Sequence, residues 1–192
     1  MPHGKIANPQ FEKWKKSHLK KASKNKLGDG NSKGNEDRNS SQLTGVAGVH
    51  FVASYISFLG FHAVPTTRNV PGPDLLVSSL NGFKSLTLQV KTTISASRTR
   101  GRGESKKPHH LEWEVGWSSA KQNNPNLWFA FVDLKKFQEL PDTFIVPSKV
   151  VFGYFDGGDP ETWTRARYHP LLEEVATYKN SFGWELLKKA MR

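Results

Sequence analysis

Residues 73–93 read PDLLVSSLNGFKSLTLQVKTT and contain the clearest strand pattern in the chain. The run 75–77 is apolar, and residues 84–93 alternate between polar and apolar side chains, as in a strand with one buried face. The pair Asn81-Gly82 between the two runs is a strong signal for a two-residue hairpin turn. We therefore expect the whole stretch to form a β-hairpin.

A buried helix and a short strand are expected before this hairpin. Residues 46–59, VAGVHFVASYISFL, are apolar on most sides of a helix and stop before Gly60, a residue favoured just after a helix end. Residues 61–68, FHAVPTTR, indicate a short strand with a turn at Pro65. The chain is therefore expected to enter the hairpin from a buried helix.

Further strands and a last helix are expected after the hairpin. Residues 126–134, NLWFAFVDL, have the length and apolar character of a central strand, and residues 111–117, LEWEVGW, alternate like another strand. Residues 143–151, TFIVPSKVV, predict a strand that Pro147 breaks, which indicates an edge or a bend. Residues 170–192 have the pattern of a helix. This order predicts an α/β or α+β domain around a mixed sheet.

Positive charge is concentrated in two segments of the chain. The formal net charge is +11, of which residues 1–44 contribute ten basic and four acidic side chains and residues 94–107 five basic and one acidic. Residues 10–26 predict a marginal basic helix, and residues 28–44 are rich in Gly, Ser and Asn, which is typical of a flexible linker. We expect a basic, flexible tail over 1–44 and a domain over 45–192 with a basic loop. This layout favours a polyanionic partner.

Several classes of protein are disfavoured by composition. The chain has no cysteine, which excludes disulfide scaffolds, thiol catalysis and cysteine-ligated metal sites. No apolar run approaches the roughly 20 residues that span a bilayer, and the first residues lack the apolar core of a secretory signal. No P-loop, dinucleotide fingerprint or nucleophile elbow is present. We expect a cytoplasmic protein with no membrane partner.

Three polar residues of the hairpin form a constellation suited to phosphodiester hydrolysis. Asp74 stands at the start of one strand, and Gln89 and Lys91 project from one face of the other. Asp74, the Gln89 amide oxygen and the main-chain carbonyl of Val90 are expected to hold a divalent ion that polarises the phosphate and lowers the pKa of a bound water. Lys91 is expected to orient that water or neutralise developing charge.

These motifs resemble the PD-(D/E)XK nuclease superfamily, which includes restriction endonucleases and archaeal-type Holliday junction resolvases. The likeness covers about residues 45–152. It rests on the order of four motifs: AGVHFVA (47–53), Pro73-Asp74, Gln89-Val90-Lys91 and WFAFVDL (128–134). The closest pattern is that of small members whose final motif is Q-V-K.

The resemblance implies a fold, a reaction and a role for each site residue. The fold is a restriction-endonuclease-like core, in which helices flank a mixed sheet of four to five strands. Asp74 matches the metal-binding aspartate, Gln89 the variable acidic-or-amide position and Lys91 the catalytic lysine. The implied activity is a Mg²⁺- or Mn²⁺-dependent endonuclease acting on DNA. Many enzymes with this fold act as dimers, so a homodimer is a further expectation.

One position departs from the family pattern. The first helix of the family commonly carries a glutamate where this chain has Val49, which leaves Asp74 as the one carboxylate of the expected site. Magnesium often binds one or two carboxylates together with waters and substrate oxygens, so activity is compatible with this loss. A catalytically eroded nuclease fold that serves as a nucleic-acid-binding module is the alternative.

The basic loop supplies the expected contacts to the nucleic-acid backbone. Its candidate residues are Arg98, Arg100, Arg102, Lys106 and Lys107. Next to the loop, His109-His110 is a weaker candidate for phosphate or metal, because adjacent histidines point apart on a strand. Glu112 and Glu114 could supply the missing carboxylate, although exposed strand carboxylates are the more ordinary interpretation. Asp133 is expected to be a strand-end residue that bonds to the backbone.

Overall fold

The computed structural model describes residues 32–67, 72–158 and 164–192. The chain divides into two compact units, Met1–Ser40 and Ser41–Arg192, and the second unit contains every strand and site described below. The basic helix predicted over residues 10–26 lies outside the described residues. In the described part of the chain, no helix is long and apolar enough to cross a membrane.

The first described helix, α1 (Ser32–Phe58), is longer than its sequence pattern predicts. The prediction of a flexible linker over residues 28–44 is wrong for residues 32–44, which are helical. Extending an existing helix costs much less than nucleating one, so an apolar second half can support a first half of poor helix formers. The predicted end is confirmed, since Gly60 follows the helix with a φ of +88°.

Five strands form one mixed sheet in the order β1-β2-β3-β7-β8. Their bounds are β1 (His62–Pro65), β2 (Leu75–Ser78), β3 (Ser85–Thr93), β7 (Leu127–Asp133) and β8 (Asp142–Pro147). Neighbouring strands are antiparallel except β3 and β7, which are parallel. The predicted α/β class with a mixed sheet of four to five strands between helices is confirmed at this level.

The remaining elements include four short strands and four helices. The strands are β4 (Ser97–Arg100), β5 (Lys107–Leu111), β6 (Trp113–Glu114) and β9 (Arg167–Tyr168). The helices are α2 (Trp117–Ala120), α3 (Ser148–Tyr154), α4 (Leu172–Val175) and α5 (Asn180–Ala190). Two predictions need correction here. The basic loop 94–107 is mostly a hairpin, because β4 pairs antiparallel with β5, and the predicted last helix is split into α4 and α5.

The turn between β2 and β3 has four residues rather than the predicted two. The main-chain N–H of Ser79 donates to the carbonyl of Lys84 over 2.9 Å, so residues 80–83 form the loop. Asn81 Oδ1 accepts hydrogen bonds from the Ser79 hydroxyl (2.7 Å) and the main-chain N–H of Phe83 (3.1 Å). This side-chain capping stabilises a wider turn than the Asn-Gly pair alone would select.

The two faces of the sheet bury separate apolar clusters. Side chains at even positions of β3, such as Leu88, pack with Ile56 of α1 and Leu187 of α5. On the opposite face, Phe129 and Trp113 belong to an aromatic cluster beside β6 and β9. The predicted alternation of β3 is therefore confirmed, and its odd positions lie on the face of the aromatic cluster.

Candidate active site

Asp74 and Gln89 lie together at the start of β2, where the hairpin brings them opposite each other. Gln89 Nε2 donates to Asp74 Oδ2 over 2.6 Å, and the main-chain N–H of Val90 donates to the same oxygen over 2.7 Å. The N–H of Asp74 donates to the carbonyl of Leu88 over 2.8 Å, which continues the β2–β3 ladder by one residue. The predicted convergence of Asp74 and Gln89 is present in the structure.

The oxygens of Asp74 and its neighbours that do not take part in these hydrogen bonds determine what the site can bind. Among the described residues, Asp74 Oδ1 accepts no hydrogen bond of its own, since both bonds go to Oδ2. A residue in a strand directs its N–H and C=O to the same side, so the Val90 carbonyl lies on the side of β3 from which its N–H bonds to Asp74. These oxygens, with Gln89 Oε1, fit the hard oxygen ligands that Mg²⁺ takes together with several waters.

The described residues hold no ready-made metal cage. No group of three or more His, Asp or Glu side chains in that part of the chain is arranged to bind an ion. A divalent ion at Asp74 would therefore complete its coordination with waters and substrate oxygens.

Lys91 is half-buried on the same face as Gln89. Burial lowers the pKa of Lys91, while the carboxylates of Asp74 and Glu114 raise it, and burial is the larger effect. An ammonium removed from water in this way depends on nearby negative charge to remain protonated. Two carboxylates from different parts of the chain therefore favour the charged form of Lys91.

Glu114 is the functional candidate that the sequence pattern undervalues. It occupies β6, which packs near β3, and its carboxylate acts on Lys91 while pairing with Arg165 over 3.3 Å. The side chain is 59% exposed, which agrees with the interpretation of an exposed strand carboxylate. That interpretation leaves out the electrostatic effect of Glu114 on Lys91. The alternation of residues 111–117 could indicate that Glu114 points outward, but only the fold shows what lies next to it.

Val49 is not part of this site. It packs against the apolar cluster under α1, with Val52 and Val90, on the face of the sheet opposite Gln89 and Lys91. A glutamate at this position would extend from the apolar face of the sheet, not from the face that carries Gln89 and Lys91. Gly48, in the same AGVHFVA motif, has a packing role rather than a role in the site. A Cβ there would lie 1.8 Å from Thr92 Oγ1.

The five predicted backbone-binding residues lie on or beside the β4–β5 hairpin, but they are not equivalent. Arg100, Arg102, Lys106 and Lys107 are exposed. Arg98 pairs with Glu112 over 3.3 Å and donates to the carbonyl of Ser95 over 2.9 Å. Arg98 is therefore already engaged within the hairpin, and its expected contact with a nucleic-acid backbone stays a prediction.

Histidines 109 and 110 do not point apart as the strand pattern predicts. Their Nδ1 atoms are 3.1 Å apart, and the ring of His169 lies 5.9 Å from that of His110. The β-bulge in the β4–β5 ladder and the isolated pairing of His110 with Leu171 bring the three rings together. No local signal in the sequence links His169 to the pair.

Asp133 has the role expected from its place at a strand end. Its side chain is buried, and Oδ1 accepts a hydrogen bond from the main-chain N–H of Lys135 over 3.0 Å. This bond supports the turn after β7, which is a structural role.

Comparison with protein-family models finds no match for this chain, and no curated protein matches it either. The resemblance to the PD-(D/E)XK superfamily therefore stays a prediction from the order of the motifs.

Proposed function

We propose that this chain is a metal-dependent endonuclease of the PD-(D/E)XK superfamily that hydrolyses DNA phosphodiester bonds. The observation that supports it most is the direct contact of Asp74 with Gln89 and Val90, with Lys91 two residues further along the same strand face. A carboxylate, an amide and an ammonium at one end of a hairpin are the groups that such hydrolysis uses.

Each residue of the cluster has a separate task in this proposal. Asp74 Oδ1 and the Val90 carbonyl would hold Mg²⁺ or Mn²⁺, and Gln89 Oε1 would join them after rotation of its amide, whose Nε2 faces Asp74 in this structure. The bound ion supplies Lewis acidity toward a phosphate oxygen and lowers the pKa of a water. The hydrogen bonds to Asp74 Oδ2 keep the carboxylate in a fixed orientation, which reduces the reorganisation needed during reaction.

Lys91 is the residue that contacts the substrate phosphate in this proposal. Its half-buried ammonium would contact a phosphate oxygen and balance the negative charge that develops there in the transition state. Asp74 and Glu114 favour the charged form of Lys91 against the effect of burial. The substrate phosphate would add a third negative charge next to it.

The exposed basic residues would hold the DNA backbone. Arg100 pairs with Lys107 across the β4–β5 ladder, so two cations stand side by side at the end of the hairpin, near Arg102 and Lys106. Contacts of this kind release counterions, so log affinity is expected to fall with log salt by about 0.9 for each phosphate contact on duplex DNA.

A second candidate is a nucleic-acid-binding module on an eroded nuclease fold. The apolar packing of Val49 favours it, because the helix glutamate of the family has no counterpart there. In this case the basic hairpin binds nucleic acid and the Asp74 cluster serves only to join β2 to β3.

Cleavage and binding assays run in parallel separate the two candidates. Labelled linear, branched and single-stranded DNA are incubated with Mg²⁺ or Mn²⁺, with a chelator as the metal-free control. The nuclease proposal predicts metal-dependent products that Lys91→Ala abolishes while DNA binding persists. Salt-dependent binding without products under every metal condition would support the binding module instead.

A further inference from the structure

The histidine cluster beside the basic hairpin is built from two separate segments of the chain. His109 and His110 belong to β5, and His169 follows β9. The main-chain N–H of Leu111 donates to the carbonyl of Pro170 over 3.1 Å, which holds the two segments side by side. The result is a group of imidazoles that the Asp74 site does not use.

The nitrogen atoms of this cluster form a chain of hydrogen bonds with a fixed direction. Arg100 Nη1 lies 3.4 Å from His109 Nε2, and because a guanidinium only donates, this Nε2 must accept. His109 then carries its proton on Nδ1 and donates it to Nδ1 of His110, 3.1 Å away. Both rings are neutral in this arrangement, and the proton of His110 is on Nε2.

An additional proton on His109 or His110 would break one of these hydrogen bonds. Protonation of His110 would direct its Nδ1–H at the Nδ1–H of His109, and protonation of His109 would direct an N–H at Arg100. Either event turns N–H donors outward, where an anion can accept them. Burial and the neighbours His109, His169 and Arg98 lower the pKa of His110, while Glu112 raises it.

The charged groups around the cluster are predominantly cationic. Arg98 and Arg100 face it from β4, and Glu112, which lies between β5 and β6, is a nearby anion. Glu112 is already paired with Arg98 over 3.3 Å and with Arg167 over 3.8 Å, so much of its charge is compensated.

His169 has its own partners on the far side of the cluster. The hydroxyl of Tyr154 in α3 lies 2.5 Å from His169 Nδ1, and burial raises the pKa of Tyr154, so this hydroxyl stays protonated. Glu174 of α4, which also acts on Tyr154, accepts a hydrogen bond from the main-chain N–H of Leu171. His169 can take up a proton without facing another N–H, since a tyrosine hydroxyl can also accept.

We propose that His109, His110 and His169, together with Arg100, form a binding site for a phosphate group that is occupied as the cluster takes up a proton. The site uses none of the residues of the Asp74 cluster and needs no metal. That the phosphate belongs to a nucleic-acid backbone rests on the proposed function. If the phosphate belongs to a nucleic acid, the proton taken up by the cluster strengthens binding of the nucleic acid to the basic hairpin in mildly acidic solution.

The site itself is tested with sulfate, a phosphate mimic whose charge stays constant in this range. Imidazole proton resonances of the wild-type protein are followed between about pH 5.5 and 7.5 with sodium sulfate or with sodium chloride of equal ionic strength. His110→Gln and His169→Gln assign the signals. Sulfate is expected to raise the apparent pKa of His110, and the signals of exposed His50 on α1 are the internal control. Equal titration curves in sulfate and chloride would overturn the site.

The nucleic-acid source is tested by fluorescence anisotropy with a labelled DNA duplex at fixed salt. Uptake of one proton predicts that wild-type affinity rises as the pH falls, by at most about tenfold per pH unit, and levels off below the free pKa. The variant with both His110→Gln and His169→Gln is expected to lose this dependence, and His50→Gln to keep it. An unchanged pH dependence in the double variant overturns the proposal.

The two arms distinguish failure of this site from failure of the proposed function. If sulfate shifts the histidine titrations but no duplex binds at either pH, the phosphate site stands and its assignment to nucleic acid is wrong. If the duplex binds but sulfate leaves the histidines unchanged, the site is wrong and nucleic-acid binding stands. The titrations of the sulfate arm are measured on the wild-type protein, and the two variants serve only to assign its signals.

Discussion

Gln89 Nε2 lies 2.6 Å from Asp74 Oδ2, and this hydrogen bond determines which atoms of the two side chains are left for a ligand. A carboxylate only accepts, so the amide nitrogen must face Asp74 and the amide oxygen must face away from that bond. The main-chain N–H of Val90 occupies the same oxygen. These two bonds link the start of β2 to β3, and they do not involve Asp74 Oδ1 or Gln89 Oε1.

The contact predicts how the protein responds to an acidic residue at position 89. Gln89→Glu would place two carboxylates within hydrogen-bond distance, which disfavours ionising both. We expect this variant to lose about 1–2 kcal/mol of unfolding free energy without metal and to regain most of it when Mg²⁺ is added. Thermal unfolding at neutral pH with and without Mg²⁺ measures both effects.

Gln138→Glu is the charge-matched control for this variant, since Gln138 is exposed and distant in sequence from the site. It should change stability by less than about 0.5 kcal/mol and show no added response to Mg²⁺. A Gln89→Glu protein that is equally stable with and without the ion would contradict a metal site at Asp74.

Glu114 predicts a shift in the pH dependence of cleavage. Its carboxylate raises the pKa of Lys91, so Glu114→Gln lowers that pKa further. If the ammonium form is required, activity falls as the pH rises through the pKa of Lys91, and this fall should move to lower pH in Glu114→Gln. Single-turnover cleavage rates across the pH range give the profile.

The control for this shift is Glu185→Gln on α5, whose carboxylate pairs with Lys188. It removes the same charge from a different part of the structure and should leave the profile unchanged. A Glu114→Gln profile that matches the wild type would mean that Lys91 does not titrate in the reaction.

The lowered pKa of Asp142 predicts that the protein loses part of its unfolding free energy in acid. Burial raises its pKa, but hydrogen bonds from Asn180, Lys179 and Lys135 lower it by more, so the net shift is below the ordinary 3.8. A carboxyl with a depressed folded pKa adds stability above its unfolded pKa, and this stability is lost as the pH falls through the folded pKa.

Asp142→Asn should therefore cost about 1–2 kcal/mol at neutral pH, with the half-exposed Lys179 contributing little of it. The difference from the wild type should shrink as the pH falls below 3.8. Chemical denaturation at several pH values measures it, and Asp156→Asn in an exposed turn is the control. A difference that stays constant with pH would show that the ion pairs are not its cause.

The close approach of α1 to β3 predicts a steric requirement at Gly48. An added Cβ would meet Thr92 Oγ1 at 1.8 Å, and Thr92 is a stiff β-branched residue. Gly48→Ala is expected to destabilise the protein by about 1–3 kcal/mol through overpacking. Gly153→Ala is the matched control, since a Cβ there meets nothing within 4 Å and alanine favours the helix. Equal stability of the two variants would refute the close contact.

The sequence was informative where one physical pattern dominated. The alternation of residues 84–93 predicts which side chains of β3 are buried, and the apolar run 126–134 predicts a central strand; both agree with the structure. The convergence of Asp74 and Gln89 follows from the hairpin alone. In each case the period of the side chains and a short connection suffice.

The sequence failed where tertiary contacts outweighed local pattern. Residues 32–44 have the composition of a linker, yet they extend a helix that the rest of α1 nucleates. Glu114 and His169 gain their neighbours because β6 packs near β3 and pairs with β9, and because His110 pairs with Leu171. These are contacts between distant segments that no local spacing encodes. The β-bulge after Arg98 reorients β4 relative to β5, which a strand pattern cannot indicate.

The most direct test of the central claim is the single-turnover cleavage rate of labelled DNA with Mg²⁺ for four proteins. These are the wild type, Asp74→Asn, Lys91→Ala and Lys84→Ala, the last an exposed lysine near the β2–β3 turn that serves as the control. We predict cleavage by the wild type and Lys84→Ala, and a loss of at least about a hundredfold in the other two. Cleavage by Asp74→Asn at the wild-type rate would contradict the account.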